Sequence, residues 1–172
     1  VDASLRAIFN ANYSDALYKR VCALMEERLE EPSYGFRIAE TPLLVPAELR
    51  VKLEAGAKEI LAILQRPDMI EAGRKAIPER FRAPGDEALP QCVAIDFAIV
   101  REPDGSFGPR LIELQGFPSL YGMQLIQAEI WSEVLASIPG MPKRFTPLFM
   151  GNDRETYLEL LRRTVVADAD VD

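Results

Sequence analysis

Three polar side chains stand where a pair of buried strands should carry hydrocarbon. Asp96 interrupts the run Cys92-Val93-Ala94-Ile95-Asp96-Phe97-Ala98-Ile99-Val100, and Glu113 and Gln115 interrupt the returning run Leu111-Ile112-Glu113-Leu114-Gln115. Pro103-Asp104-Gly105 lies between the two runs and is a turn signature, so an antiparallel hairpin is predicted. A carboxylate among apolar neighbours is unfavourable unless a cation or a set of donors compensates it. Two acids brought together on paired strands therefore point to a divalent metal or a cationic partner. Gln115 could add a neutral carbonyl oxygen to the same ion.

Strand alternation places Glu113 and Gln115 on one face of their strand. Whether Asp96 joins them depends on the turn. If Asp104-Gly105 is a two-residue turn, Asp96 lies directly opposite Glu113. If Pro103-Asp104-Gly105 forms a type I turn with Gly105 in a bulge, Asp96 faces away, unless a second bulge near Gly108-Pro109 restores the register. The residues leave both registers open. Opposed carboxylates repel unless a cation lies between them or one is protonated, which makes divalent metal binding the natural resolution of the first register. The alternative is that the acids are simply solvated, or paired with Arg101 or Arg110 on the same hairpin.

The rest of the composition narrows the chemistry. The 172 residues include no histidine, which removes His metal ligands, His general bases and Ser-His or Cys-His nucleophile pairs. A metal site must then be built from oxygen ligands, favouring Mg²⁺, Mn²⁺ or Ca²⁺. A formal charge of −7, from 20 Lys+Arg against 27 Asp+Glu, without a basic stripe, argues against nucleic-acid binding. Cys22 and Cys92 lie outside any Cys-x-x-Cys motif and read as buried, inert thiols. No apolar run approaches the roughly 20 residues of a membrane helix, and no secretory signal pattern opens the sequence, so a cytoplasmic protein without a membrane partner is expected.

The elements that must position the hairpin are mainly helical. Apolar spacing at Leu17, Val21, Leu24, Met25 and Leu29 predicts a helix from Ser14 to about Leu29, capped by Asn12 or Ser14. A second begins at Pro46 and runs to about Gln65, and a third, opened by Pro67, spans Asp68 to Ala76. Residues 79–90 read as a surface loop, and Leu43–Val45 as a possible short strand. After the hairpin, Leu120 to Ile138 is helical, with Met123, Ile126, Ile130, Trp131, Val134 and Leu135 facing inward and Ser119 placed as its cap. A last helix spans about Asp153 to Thr164, and Val165-Val166 reads as the opening of a strand cut short. The fold class expected is α+β: helices packed around a small, mainly antiparallel sheet centred on the 92–116 hairpin.

The hairpin, ending Leu111-Ile112-Glu113-Leu114-Gln115-Gly116-Phe117-Pro118-Ser119, resembles the metal-binding hairpin of ATP-grasp enzymes. The Asp104-Gly105 turn and the Pro118-Ser119-x-x-Gly122 continuation are most similar to the circularly permuted members of that superfamily. The resemblance covers residues 92–122. It implies that Glu113 is a Mg²⁺ ligand, that Gln115 takes the place of the usual Asn, and that Asp96 is the accompanying acid. It further implies Mg²⁺ (or Mn²⁺) and ATP as cofactors, with a small carboxylate as substrate. The activity implied is that of a carboxylate–amine or carboxylate–thiol ligase, which phosphorylates the carboxylate and then lets a nucleophile attack the acyl phosphate. Gln for Asn is a departure, since the added methylene moves the carbonyl oxygen. No glycine-rich phosphate loop and no pair of strand lysines occurs within the 172 residues. In a permuted arrangement those elements follow residue 172, so the chain is expected to be a single domain, the N-terminal part of a longer protein and inactive alone.

Further candidates lie outside the acids. Gly116-Phe117-Pro118-Ser119 leads into a helix, and Ser119 at that N-terminus could hold a phosphate or carboxylate, or simply cap it. Arg80 and Arg82 could clamp an anionic cofactor, or be solvated loop residues. Tyr121 and Trp131 could stack on a base, although their helical spacing reads as core. Two other function classes stand beside the ligase: a non-catalytic helical and hairpin interaction domain, and a metal-dependent hydrolase with oxygen ligands only.

Overall fold

A computed structural model describes residues 2–30, 35–84, 90, 92–116 and 120–166. Among them are six α-helices, one 3₁₀ turn and one two-stranded antiparallel sheet, an α+β chain as expected. The chain divides into two compact units, Val1–Pro46 with Ser119–Asp172, and Ala47–Pro118.

The first unit is helical: α1 (Ala3–Asn12), α2 (Asp15–Leu29), α5 (Tyr121–Ser137) and α6 (Arg154–Val166). Asp2 caps α1 by accepting from the amides of Ser4 and Leu5, both at 3.0 Å, and these bonds hold its carboxyl below the usual range, the Leu5 amide most. Ser14 caps α2 through the Leu17 amide at 3.2 Å. Phe9, Val21, Met25, Ile130 and Val134 are fully buried, and Trp131 meets Phe9 edge-on with ring centroids 6.0 Å apart. Leu17, Leu24, Leu29, Met123 and Ile126 pack against that cluster, as their spacing predicts. Outside the apolar seam, Arg20 and Arg28 of α2 both reach Glu133 of α5. Two sequence expectations are corrected here. Leu43–Val45 forms no strand; Leu44 is buried, and its carbonyl accepts from the Asp2 amide at 3.1 Å. Val165 and Val166 end α6 rather than opening a strand.

The second unit holds α3 (Ala47–Leu64), α4 (Pro67–Ala76), the 3₁₀ turn Glu79–Phe81, and the hairpin strands β1 (Ala94–Arg101) and β2 (Phe107–Gln115). Pro67 occupies the first turn of α4, where its missing N–H does no harm. The turn between the strands is closed by Gly105 N–H to the Glu102 carbonyl at 2.9 Å and Glu102 N–H to the Ser106 carbonyl at 2.8 Å. Gly105 sits at φ +84°, a conformation that side-chain-bearing residues resist. Helix α3 packs on β2, and its Lys52 Nζ donates to the Phe107 carbonyl at 2.8 Å and to Ser106 Oγ at 3.1 Å. One end of the hairpin is thereby anchored to the helix.

Candidate metal centre

The turn adopts the three-residue form, and the ladder leaves it with Arg101 opposite Phe107 and Phe97 opposite Leu111. Continued without interruption, that register would put Ile112 opposite Asp96. Instead the ladder shifts between Asp96 and Phe97: Ile112 is the extra residue, and Asp96 pairs with Glu113, Ile95 with Leu114 and Ala94 with Gln115. The restoring bulge lies at Ile112 and not near Gly108-Pro109, which correct that expectation by three residues along the strand. A bulge that re-aims side chains is what brings the two acids together.

The three side chains do converge. The Gln115 amide nitrogen donates to Glu113 Oε1 at 2.5 Å and reaches Asp96 Oδ2 at a long 3.5 Å. Asp96 and Glu113 are exposed and Gln115 is half-buried, so water can reach the pair. The opposite face of β1 carries Phe97, whose ring lies beside Gly56 of α3 together with Pro109. Because neighbouring side chains alternate, Asp96 points away from that helix. An open groove of about 840 Å³ runs on the α3 side, lined by Lys52, Gly56, Ile60, Phe97, Pro109 and Leu111 among others, and neither acid lines it.

The hairpin arginines do not neutralise the acids. Arg110 makes a two-pronged pair with Glu102, Nη1 to Oε1 at 2.8 Å and Nη2 to Oε2 at 2.9 Å. Arg101 lies over the Phe107 ring, 5.3 Å from its centroid. Glu102 crosses the strand at Gly108, where a Cβ would collide with its carboxylate oxygen. At the turn, Asp104 accepts from the Ser106 amide at 2.8 Å, and chiefly this bond holds its carboxyl below the usual range.

The other candidates sit apart from the acids. Arg80 stacks over the Phe81 ring at 4.7 Å, and Arg82 Nε donates to the Ile77 carbonyl at 3.2 Å. No hydrogen bond or ion pair among the described residues joins either arginine to Asp96, Glu113 or Gln115. Ser119 lies outside the described residues. Trp131 is core, and the half-buried Tyr121 accepts at its carbonyl from Tyr157 Oη at 3.3 Å. Lys52, Glu102 and the Ile112 bulge, which fix the hairpin's geometry, were not read from sequence. Gly108 inside a strand is the one local signal that marks a close approach there.

The donor set fits a hard cation of the Mg²⁺ type. Two carboxylates and an amide oxygen leave coordination positions for water or phosphate, which is how Mg²⁺ is ordinarily held. Among the described residues no group of three His, Cys, Asp or Glu side chains could hold a metal, so a cation at this place would draw its further ligands from the Gln115 oxygen or from outside. As placed, Gln115 presents its NH₂ to the acids; half a turn of its terminal torsion, which has a soft two-fold profile, presents Oε1 instead. Comparison with known protein families, curated proteins and solved structures returns no match. No helix among the described residues is long and apolar enough to cross a membrane.

Proposed function

We propose that the hairpin is the cation-binding element of an ATP-grasp-like protein, with Asp96, Glu113 and Gln115 holding Mg²⁺ or Mn²⁺ for a nucleotide. The observation that carries this reading is the bulge at Ile112, which sets Asp96 opposite Glu113 with no arginine between them. Mg²⁺, when bound, neutralises phosphate charge and aligns the transferred group. The chain's part is to supply two carboxylates from facing positions of one ladder and to leave the remaining coordination positions open. Arg80 and Arg82 are available to the nucleotide's phosphates. The reaction class is ATP-dependent ligation of a carboxylate to an amine or thiol.

Calorimetric titration with Mn²⁺, alone and with ATP, tests it. Binding at sub-millimolar Mn²⁺ that disappears in the Asp96→Asn, Glu113→Gln double variant is the expected result. An absence of binding at millimolar Mn²⁺, with and without ATP, would sink it. One observation favours a second reading, an interaction module: Leu111, Ile112 and Leu114 are 50%, 64% and 39% exposed along one strand. Loss of the Mn²⁺ signal together with self-association or partner capture abolished by Ile112→Lys would decide for that reading.

A further inference from the structure

The outer edge of β2 faces a groove. Glu102 N–H donates to the Ser106 carbonyl, which therefore points toward β1, whereas the Phe107 carbonyl accepts from Lys52 of α3 and points away from it. Backbone groups alternate sides along an antiparallel strand, so Pro109 and Leu111 turn theirs outward with Phe107, up to the bulge at Ile112. Pro109 stands where a missing N–H breaks no ladder bond. Its carbonyl and both backbone groups of Leu111 are left at the edge, and among the described residues no further strand pairs with them.

The groove of about 840 Å³ beside this edge is walled on one side by Lys52, Gly56, Glu59 and Ile60, which recur at helical spacing on one face of α3. On the other side Gly108, Pro109, Arg110 and Leu111 line it in succession. Successive strand residues point to opposite faces, so a groove that touches all four follows the edge of the strand and not one face of the sheet. Four strand residues span about 13 Å, room for a short extended segment. The charges leave Glu59 over. Arg110 is held by Glu102, and Lys52 and Asp104 meet at Ser106, one bonding its Oγ and the other its amide. Glu59 is exposed and has no ion pair among the described residues.

We propose that this groove binds an extended peptide by strand addition. The incoming backbone pairs with Pro109 and Leu111, its apolar side chains rest on Gly56, Ile60 and Phe97, and a basic side chain reaches Glu59. A third strand also brings the sheet to the size at which sheets hold without further support. The site shares no residue with Asp96, Glu113 and Gln115, and it stands or falls independently of the cation-binding reading.

The probe is a set of capped pentapeptides in which Val or Ile alternates with Lys, titrated into the isotope-labelled full chain and followed by amide NMR. Saturable shifts at Gly108, Arg110 and Leu111 and along residues 56–60 are expected at sub-millimolar peptide, largest at the Leu111 amide, whose N–H gains a partner. Glu59→Lys, a change at an exposed position, should weaken binding by about 5-fold. N-methylation of the alternate peptide amides that face β2 should abolish binding, while methylation of the other set, with the same side chains and charge, should not. No binding at millimolar peptide, shifts confined to other residues, or an equal effect of the two methylated sets overturns the proposal. Shifts at the same amides that grow with protein concentration, without peptide, would assign the groove to a second copy of the chain and overturn it likewise.

Discussion

The helical unit and the hairpin solve the same problem, holding side chains in fixed relation, by different means. In the helical unit, Phe9, Met25, Ile130 and Val134 have no exposed surface, so any shift of one helix opens a void. The hairpin hides little of β2 beyond Gly108 and depends on local devices: a glycine turn, a lysine tether and one bulge. Packing tolerates changes in surface chemistry but not in volume. A ladder held by local devices tolerates changes in volume but not in register or charge.

That contrast can be broken from either side. Phe9→Ala should destabilise the helical unit by about 3–5 kcal/mol through a large cavity, read as a drop in the urea midpoint, with Mn²⁺ affinity unchanged while the chain remains folded. Asp96→Asn should do the reverse. On the cation-binding proposal it should lower Mn²⁺ affinity, and it should change stability by no more than about 1 kcal/mol, in the stabilising direction, because it removes a like-charge pair. Gly56→Ala sharpens the picture at the tether. A Cβ there meets the Phe97 ring at an ordinary 3.6 Å, and alanine replaces the poorest ordinary helix former, so a gain of about 0.5–1 kcal/mol in thermal unfolding is expected.

The smallest effect concerns the exposed end of the helical unit. Arg162 and, next, Arg163 hold the Glu159 carboxyl down from an ordinary 4.5 to about 2. A carboxylate depressed on folding stabilises the folded state above its ordinary pKa, and that contribution fades as pH falls from about 4.5 toward 2. Helicity of α6 should therefore weaken across that window, and Glu159→Gln should flatten the dependence while starting from a lower value. An unchanged acid profile in the variant would show that the arginine pairs do not hold the helix end.

The same contrast explains what could be read from residues alone. Helices α2, α3, α4, α5 and α6 announce themselves through apolar spacing and end signals such as Ser14, Pro67 and Asp153, because packing selects for that periodicity. Helix α1 went unread, although Asp2 ahead of Leu5, Ile8 and Phe9 carried both cap and stripe. The acids stood out as charges inside apolar runs, but both are exposed, so the burial those runs implied is absent at these two positions. Their mutual placement was not legible. A three-residue turn and a two-residue turn share the same Asp104-Gly105, and nothing in the identity of Ile112, an ordinary strand residue, marks it as the bulge.

One consequence of the chain's division concerns how it folds. Residues 47–118 form a contiguous unit, whereas the helical unit is assembled from the segments on either side of it. Arg20 and Arg28 meet Glu133 across 113 and 105 residues. Each helix can nucleate locally, yet their docking must close a loop containing the entire intervening unit. By contact order the helical unit thus behaves as a non-local structure, despite its lack of strands, and its docking step sets its rate of formation. Pulse-labelled hydrogen exchange should find amides of α3 and the hairpin protected no later than those that join α2 to α5.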